Sequence, residues 1–252
     1  MLGILDRLFV LSIFNDLEEE VSQQENNKLY SFQTKSYPGN SLWLCFPGWS
    51  MDHEKVDKMS FLPKEGKVIT FSGPLSLIGT HPEQTIQSLH ELNRVIEKII
   101  SWEPDREIKL YGFSAGTIPA FYFANKLNCK KLIAVSPAPR LGDGIYMSPI
   151  TYFYSRELRE ERIGPKSYNQ HVKDFHQEGN MDNLPKDIQI FSSGKDYITP
   201  ATMTREVVSQ LKEKGYNPYH KEFKFLDHVS LIFYLGWLNK KNKDPYNLKW
   251  VE

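Results

Sequence analysis

The sequence predicts an α/β fold built on a doubly wound, mostly parallel sheet. Three observations predict it. Short apolar, strand-like runs alternate with longer amphipathic runs along most of the chain. Ser41-Leu42-Trp43-Leu44-Cys45-Phe46 carries no charge, the pattern of a strand covered on both faces. Tyr111-Gly112-Phe113-Ser114-Ala115-Gly116-Thr117 joins a strand-like run to a helix-like run through a glycine-flanked turn.

The elements follow in order. Leu29 to Thr34 alternates as a strand does, and Tyr37-Pro38-Gly39-Asn40 is a turn. The buried strand Ser41 to Phe46 is closed by Pro47-Gly48-Trp49. Asp52 to Phe61 reads as a short helical or irregular piece, and Val68 to Phe71 as the next strand. From Pro82 to Trp102, Ile86, Leu89, Leu92, Val95, Ile96, Ile99 and Ile100 recur at helical spacing. A strand around Ile108 and Leu110 leads into Ser114, a helix follows from Ile118 to Leu127, and Leu132 to Val135 is a further strand. The rhythm then breaks. Residues 137–185 are polar, aromatic and irregular, with helix-like patches at Arg156 to Arg162 and Tyr168 to His176. So long a stretch without a strand, inside an α/β chain, is expected to be an inserted cap. Strand Ile188 to Phe191, helix Pro200 to Lys214, strand Tyr219 to Phe225 and a final helix from Val229 to about Leu238 resume the pattern.

A chain of 252 residues is long enough for one large domain over 1–252, with the cap inside it and a helical extension at 1–27. The apolar run Leu8 to Phe14 is too short to span a bilayer. Asp6 before it and Asp16 to Glu20 after it do not suit a signal peptide. A helix packed on the domain is expected, with membrane contact through residues 1–14 as the alternative. Basic and acidic residues balance at 31 each, which gives no electrostatic footprint for a nucleic-acid partner. The two cysteines, Cys45 and Cys129, cannot form a disulfide framework and are read as buried thiols in a reducing, cytoplasmic setting.

The chemistry centres on Ser114. Alone, G-x-S-x-G is a weak pattern, because Gly and Ser are common. Between a strand and a helix it becomes a turn that holds the serine oxygen clear of the sheet. Such a serine needs a base, and the base needs an orienting carboxylate. In doubly wound sheets these collect at the carboxyl ends of strands. Asp196, in Ser193-Gly194-Lys195-Asp196, lies just past a strand; its bland alternative is a turn or capping residue. Its rivals Asp174, Asp182 and Asp187 lie in or near the cap. His228 lies at the last strand-to-helix junction, whereas His220 is at a strand start and His171 and His176 belong to the cap. Asp227 beside it is expected to cap the last helix. Backbone N–H groups of Ala115 and of Trp49, in Phe46-Pro47-Gly48-Trp49-Ser50, are the expected oxyanion donors. Tyr146, Tyr152, Phe153 and Tyr154 are expected as apolar walls of a substrate pocket. No metal-ligand spacing, phosphate loop or dinucleotide fingerprint is present, so no cofactor and no metal are expected.

Gly112-Phe113-Ser114-Ala115-Gly116, Gly194-Lys195-Asp196 with Pro200, and Asp227-His228 together resemble the α/β-hydrolase superfamily from about Leu29 to Leu238. Phe46-Pro47-Gly48-Trp49-Ser50-Met51-Asp52 is similar to the oxyanion loop of pimeloyl-type carrier-protein methyl esterases, with Pro47-Gly48 where a His-Gly start is commoner. The resemblance implies a serine hydrolase that cleaves a carboxylic ester or thioester through an acyl-enzyme. Its substrate would be a small-molecule or carrier-bound acyl ester. A non-catalytic binding protein on the same fold, or a peptidase- or lipase-type relative, is the alternative.

Overall fold

Ser41–Phe46 (β2) is buried along its whole length, and its side chains divide between two cores. Leu42, Leu44 and Phe46 enter one apolar cluster, Trp43 and Cys45 the other. That is the period-two alternation of a strand with helices on both faces. The computed structural model describes residues 31–49, 51–72, 81–148 and 151–247. The extension at 1–27, Leu29, Tyr30 and Ser50 lie outside the described residues.

The other strands are β1 (Ser31–Ser36), β3 (Lys67–Ser72), β4 (Glu107–Phe113), β5 (Lys131–Val135), β6 (Asp187–Ser193) and β7 (Tyr219–Phe223). The sheet order is β1-β3-β2-β4-β5-β6-β7, with β1 antiparallel to β3 and all other pairs parallel. Among the described residues the α-helices are α1 (His53–Met59), α2 (Pro82–Trp102), α3 (Thr117–Lys126), α4 (Leu141–Met147), α5 (Tyr152–Glu160), α6 (Pro165–His171), α7 (Ala201–Glu213) and α8 (His228–Lys240). The larger core joins α2, α3, α7 and the segment between β5 and β6 to one face. The smaller joins α1 and α8 to the other. The sheet therefore is mostly parallel and doubly wound.

Register positions the site. Phe46 pairs with Gly112, Phe113 with Val135, Val135 with Phe191, and Ser193 with Phe223. The loops after β2, β4, β5, β6 and β7 consequently leave the sheet along one edge, where ligands bind in such folds.

Among the elements that differ from expectation are α4 and β7. α4 lies in a stretch read as irregular. Pro139, Gly142 and Gly144 conceal its periodicity, and side chains outside its own ladder fix it. Asn169 Oδ1 accepts from the Gly142 N–H at 2.9 Å, and Arg140 pairs with Asp143 at 2.7 Å. β7 ends at Phe223 rather than Phe225, because the Leu226 N–H turns back to the Phe223 carbonyl at 3.2 Å and leaves Phe225 exposed.

α8 carries His228 and packs closely on the end of α1. A Cβ on Gly236 would lie 1.8 Å from the Met59 carbonyl oxygen. Gly236→Ala should therefore lower the unfolding free energy by about 2 kcal/mol, read from the midpoint of a denaturant titration. An unmoved midpoint would contradict this helix contact.

Candidate active site

β4 ends at Phe113, and the chain reverses through a 3₁₀ turn, Ser114–Gly116, into α3. Ser114 has φ +53°, a left-handed conformation that a non-glycine residue adopts at a cost. The flanking glycines make the turn possible. A Cβ on Gly112 would lie 2.7 Å from the Gly116 carbonyl oxygen, and one on Gly116 would lie 2.0 Å from that of Phe46. Two buried side chains brace the strained residue. Thr117 Oγ1 donates to the Ser114 carbonyl at 2.6 Å, and Gln177 Nε2 donates to Thr117 Oγ1 at 2.6 Å.

Asp196 and His228 meet at a distance of 32 positions along the chain. Asp196 Oδ2 accepts from His228 Nδ1 at 2.7 Å, and both side chains are 1% exposed. Asp196 Oδ1 accepts from the N–H groups of Ile198 at 2.9 Å and Thr199 at 2.7 Å. Ser136 Oγ donates to Oδ2 at 3.0 Å. Four donors thus fill the acceptor sites of one carboxylate, which is what a buried charge requires. The two loops are fastened together. The Gly194 N–H donates to Phe223 O at 2.9 Å and the Lys195 N–H to Leu226 O at 3.0 Å. Gly194 has to be glycine for this approach, since a Cβ would lie 2.8 Å from Lys224 Cα. Asp227 is the N-cap of α8 and accepts from the Ser230 N–H at 2.7 Å. It is a cap, and Asp196 is the carboxylate on the imidazole.

Two of the three rival carboxylates, and the imidazole of His220, are engaged elsewhere. Asp187 pairs with Lys131 at 3.3 Å, and Asp182 pairs with Lys214. His220 Nε2 bonds Ser192 Oγ at 2.9 Å, on β6 and β7 rather than beyond them. His176 is buried, and burial pushes its imidazole down to about 4.

Ser114, Ala115, Trp49 and His228 line one cavity of about 60 Å³, whose lining also includes Ser136 and Thr199. The Phe113 ring packs against His228 in a tilted arrangement, with ring centroids 4.9 Å apart. The loop after β2 lies against the serine: a Cβ on Gly48 would meet the Phe113 ring at 3.1 Å and Ser114 Cβ at 3.3 Å. The Met51 N–H donates to Gly48 O at 3.3 Å and closes that turn.

The expected substrate walls are not in this cavity. Tyr152 is 55% and Phe153 48% exposed, and the two rings pack on each other at 6.0 Å. They occupy the first turn of α5, on its outer side. Tyr146 is half-buried, with its hydroxyl on the Ile163 carbonyl and the Arg159 guanidinium over its ring. The apolar walls are instead Ile118, Leu141, Ile145 and Ile198. Sequence reading missed these, and it missed Ser136, the first residue past β5 and itself left-handed at φ +52°. The strand-end rule that picked out Asp196 and His228 also selects Ser136. Among the described residues, no group of three or more His, Cys, Asp or Glu side chains could hold a metal ion, and no helix is long and apolar enough to cross a membrane.

No protein-family profile and no curated protein matches the sequence. Solved structures do. The chain is similar to an acylaminoacyl peptidase of Pyrococcus horikoshii, at TM-score 0.60 and 15% identity, over 89% of this chain and 43% of that one. An esterase of Pyrococcus furiosus matches at TM-score 0.56 and 14% identity, over 88% of this chain and 92% of that one. A serine hydrolase homologue of Coxiella burnetii matches at TM-score 0.53 and 13% identity, over 84% and 91%. The chain spans less than half the length of the acylaminoacyl peptidase it matches. At these identities the likeness concerns architecture: the chain has the α/β-hydrolase fold.

Proposed function

We propose that this chain is a serine hydrolase that cleaves a carboxylic ester or thioester through an acyl-enzyme. One observation carries the reading. A wholly buried Asp196–His228 pair adjoins the cavity in which the strained Ser114 turn sits. Nδ1 of His228 is engaged by Asp196, so Nε2 is the nitrogen that would take the serine proton. Ser114 Oγ adds to the acyl carbon as that proton moves to His228. The oxyanion is held by the N–H groups of Ala115 and Trp49. Collapse breaks the acyl–oxygen or acyl–sulfur bond, and His228 returns the proton to the departing alcohol or thiol. Water then attacks the acyl-enzyme, its proton passing to His228 and back to Ser114 as the acid leaves. Asp196 holds the imidazole in the required tautomer and stabilises its cation.

A cytoplasmic location belongs to the same proposal. The free thiols of Cys45 and Cys129 are buried, and burial raises both above the usual thiol range, as suits structural rather than reactive cysteines.

Mixing the protein with p-nitrophenyl acetate tests the reaction class. A burst of one p-nitrophenol per chain, followed by slower turnover, is expected of an acyl-enzyme. Release no faster than in buffer would contradict the reading. Ser136→Ala tests the support of the acid. Removing one donor to a charged group costs roughly 1.5–3 kcal/mol, so kcat/KM should fall on the order of tenfold or more. Ser136→Gly should fall alike although glycine relieves the left-handed backbone, because the hydroxyl is what both variants lose.

A further inference from the structure

α4 lies across the cavity. Arg140, Leu141, Gly144, Ile145 and Ser148 all line it, at the spacings of three and four residues that share one helix face. Gly144 is at the middle of that face. A glycine inside a helix costs ~1 kcal/mol relative to alanine, and this helix has only seven residues and no side-chain N-cap. Close packing is the usual reason for such a glycine, and it applies two residues earlier: a Cβ on Gly142 would lie 2.3 Å from Asn169 Oδ1. It does not apply here. A Cβ on Gly144 would meet nothing within 4 Å. The helix is also tied from outside, by Asn169 on Gly142, by Tyr146 on the Ile163 carbonyl and by Arg140 on Glu178 and Glu206, both at 3.3 Å. These ties keep the wall from settling inward over the space.

We propose that Gly144 is the specificity-determining residue of the site: the space beside its Cα admits the acyl chain of the substrate, an ester or thioester of an aliphatic acid longer than acetate. The proposal rests on the serine-hydrolase reading. Leu141 and Ile145 on α4 and Ile118 on α3 supply apolar walls for such a chain. A side chain at position 144 would occupy the volume through which it runs.

The test compares kcat/KM for p-nitrophenyl octanoate and p-nitrophenyl acetate as a ratio. Gly144→Leu should lower the octanoate-to-acetate ratio on the order of 100-fold, and Gly144→Ala on the order of tenfold. Gly144→Ala should at the same time raise Tm by roughly 2–4 °C, a gain that a glycine required for packing would not give. Gly164 is the control. It too has open space beside it but does not line the cavity, so Gly164→Ala should keep the wild-type ratio. Where Gly144→Leu does not melt cooperatively, the alanine variant decides. An unchanged ratio in the folded Gly144 variants, or an equal fall in Gly164→Ala, overturns the proposal. Labelling of the wild-type protein by a small fluorophosphonate separates the two readings. Labelled protein with unmoved ratios overturns the role of Gly144 alone, whereas unlabelled and inactive protein removes the hydrolase reading and this proposal together.

Discussion

Ser114→Ala should remove ester turnover by on the order of 10⁴-fold or more, with the fold intact. The chain holds Ser114 in a left-handed conformation, in a turn that two glycines permit and that Thr117 and Gln177 brace. Alanine fits the same backbone, so the stability change should be small and the loss chemical. His228→Ala should cost about as much, and the double variant little more, because residues that act as one unit lose activity non-additively. Steady-state kinetics on p-nitrophenyl acetate, with cooperative melting checked first, measures all three. Losses that simply add would mean that Ser114 and His228 do not work together.

Asp196→Asn should reduce kcat by on the order of 10⁴-fold. The asparagine would still accept from the Ile198 and Thr199 N–H groups, so the loop should keep its shape. What is lost is the charge beside His228 Nδ1, and with it the tautomer that leaves Nε2 able to take a proton. Asp227→Ala makes the contrast, one residue from the same histidine. It removes only the cap on the Ser230 N–H and should cost about 1 kcal/mol of stability, with turnover falling far less than in Asp196→Asn. The reverse pattern, with Asp227→Ala inactive and Asp196→Asn active, would reassign the acid.

The architecture was legible because its signals are local. The uncharged run Ser41 to Phe46 and the helical spacing from Pro82 to Trp102 coincide with β2 and α2. Motif, chain order and strand-end position singled out Ser114, Asp196 and His228. The last two touch in the structure, and all three gather at one edge of the sheet. The cavity walls were not legible in this way. Aromatic content pointed to Tyr152 and Phe153, but a side chain's direction on a helix depends on what the helix packs against. α5 turns these two outward, while Tyr154 reaches Trp49 at 6.1 Å between ring centroids. α4 escaped for a related reason. Its two glycines weaken any periodicity, and Asn169, together with Glu178 and Glu206 through the N-cap Arg140, supplies from other elements the order that its own seven residues lack.

Mass spectrometry of the protein after exposure to a fluorophosphonate tests the central claim most directly. The reagent reacts with a serine that a base has activated. The account predicts one adduct per chain, on the peptide carrying Ser114, absent from Ser114→Ala and formed far more slowly in His228→Ala. No adduct on folded wild-type protein, or an adduct that persists in Ser114→Ala, would contradict it.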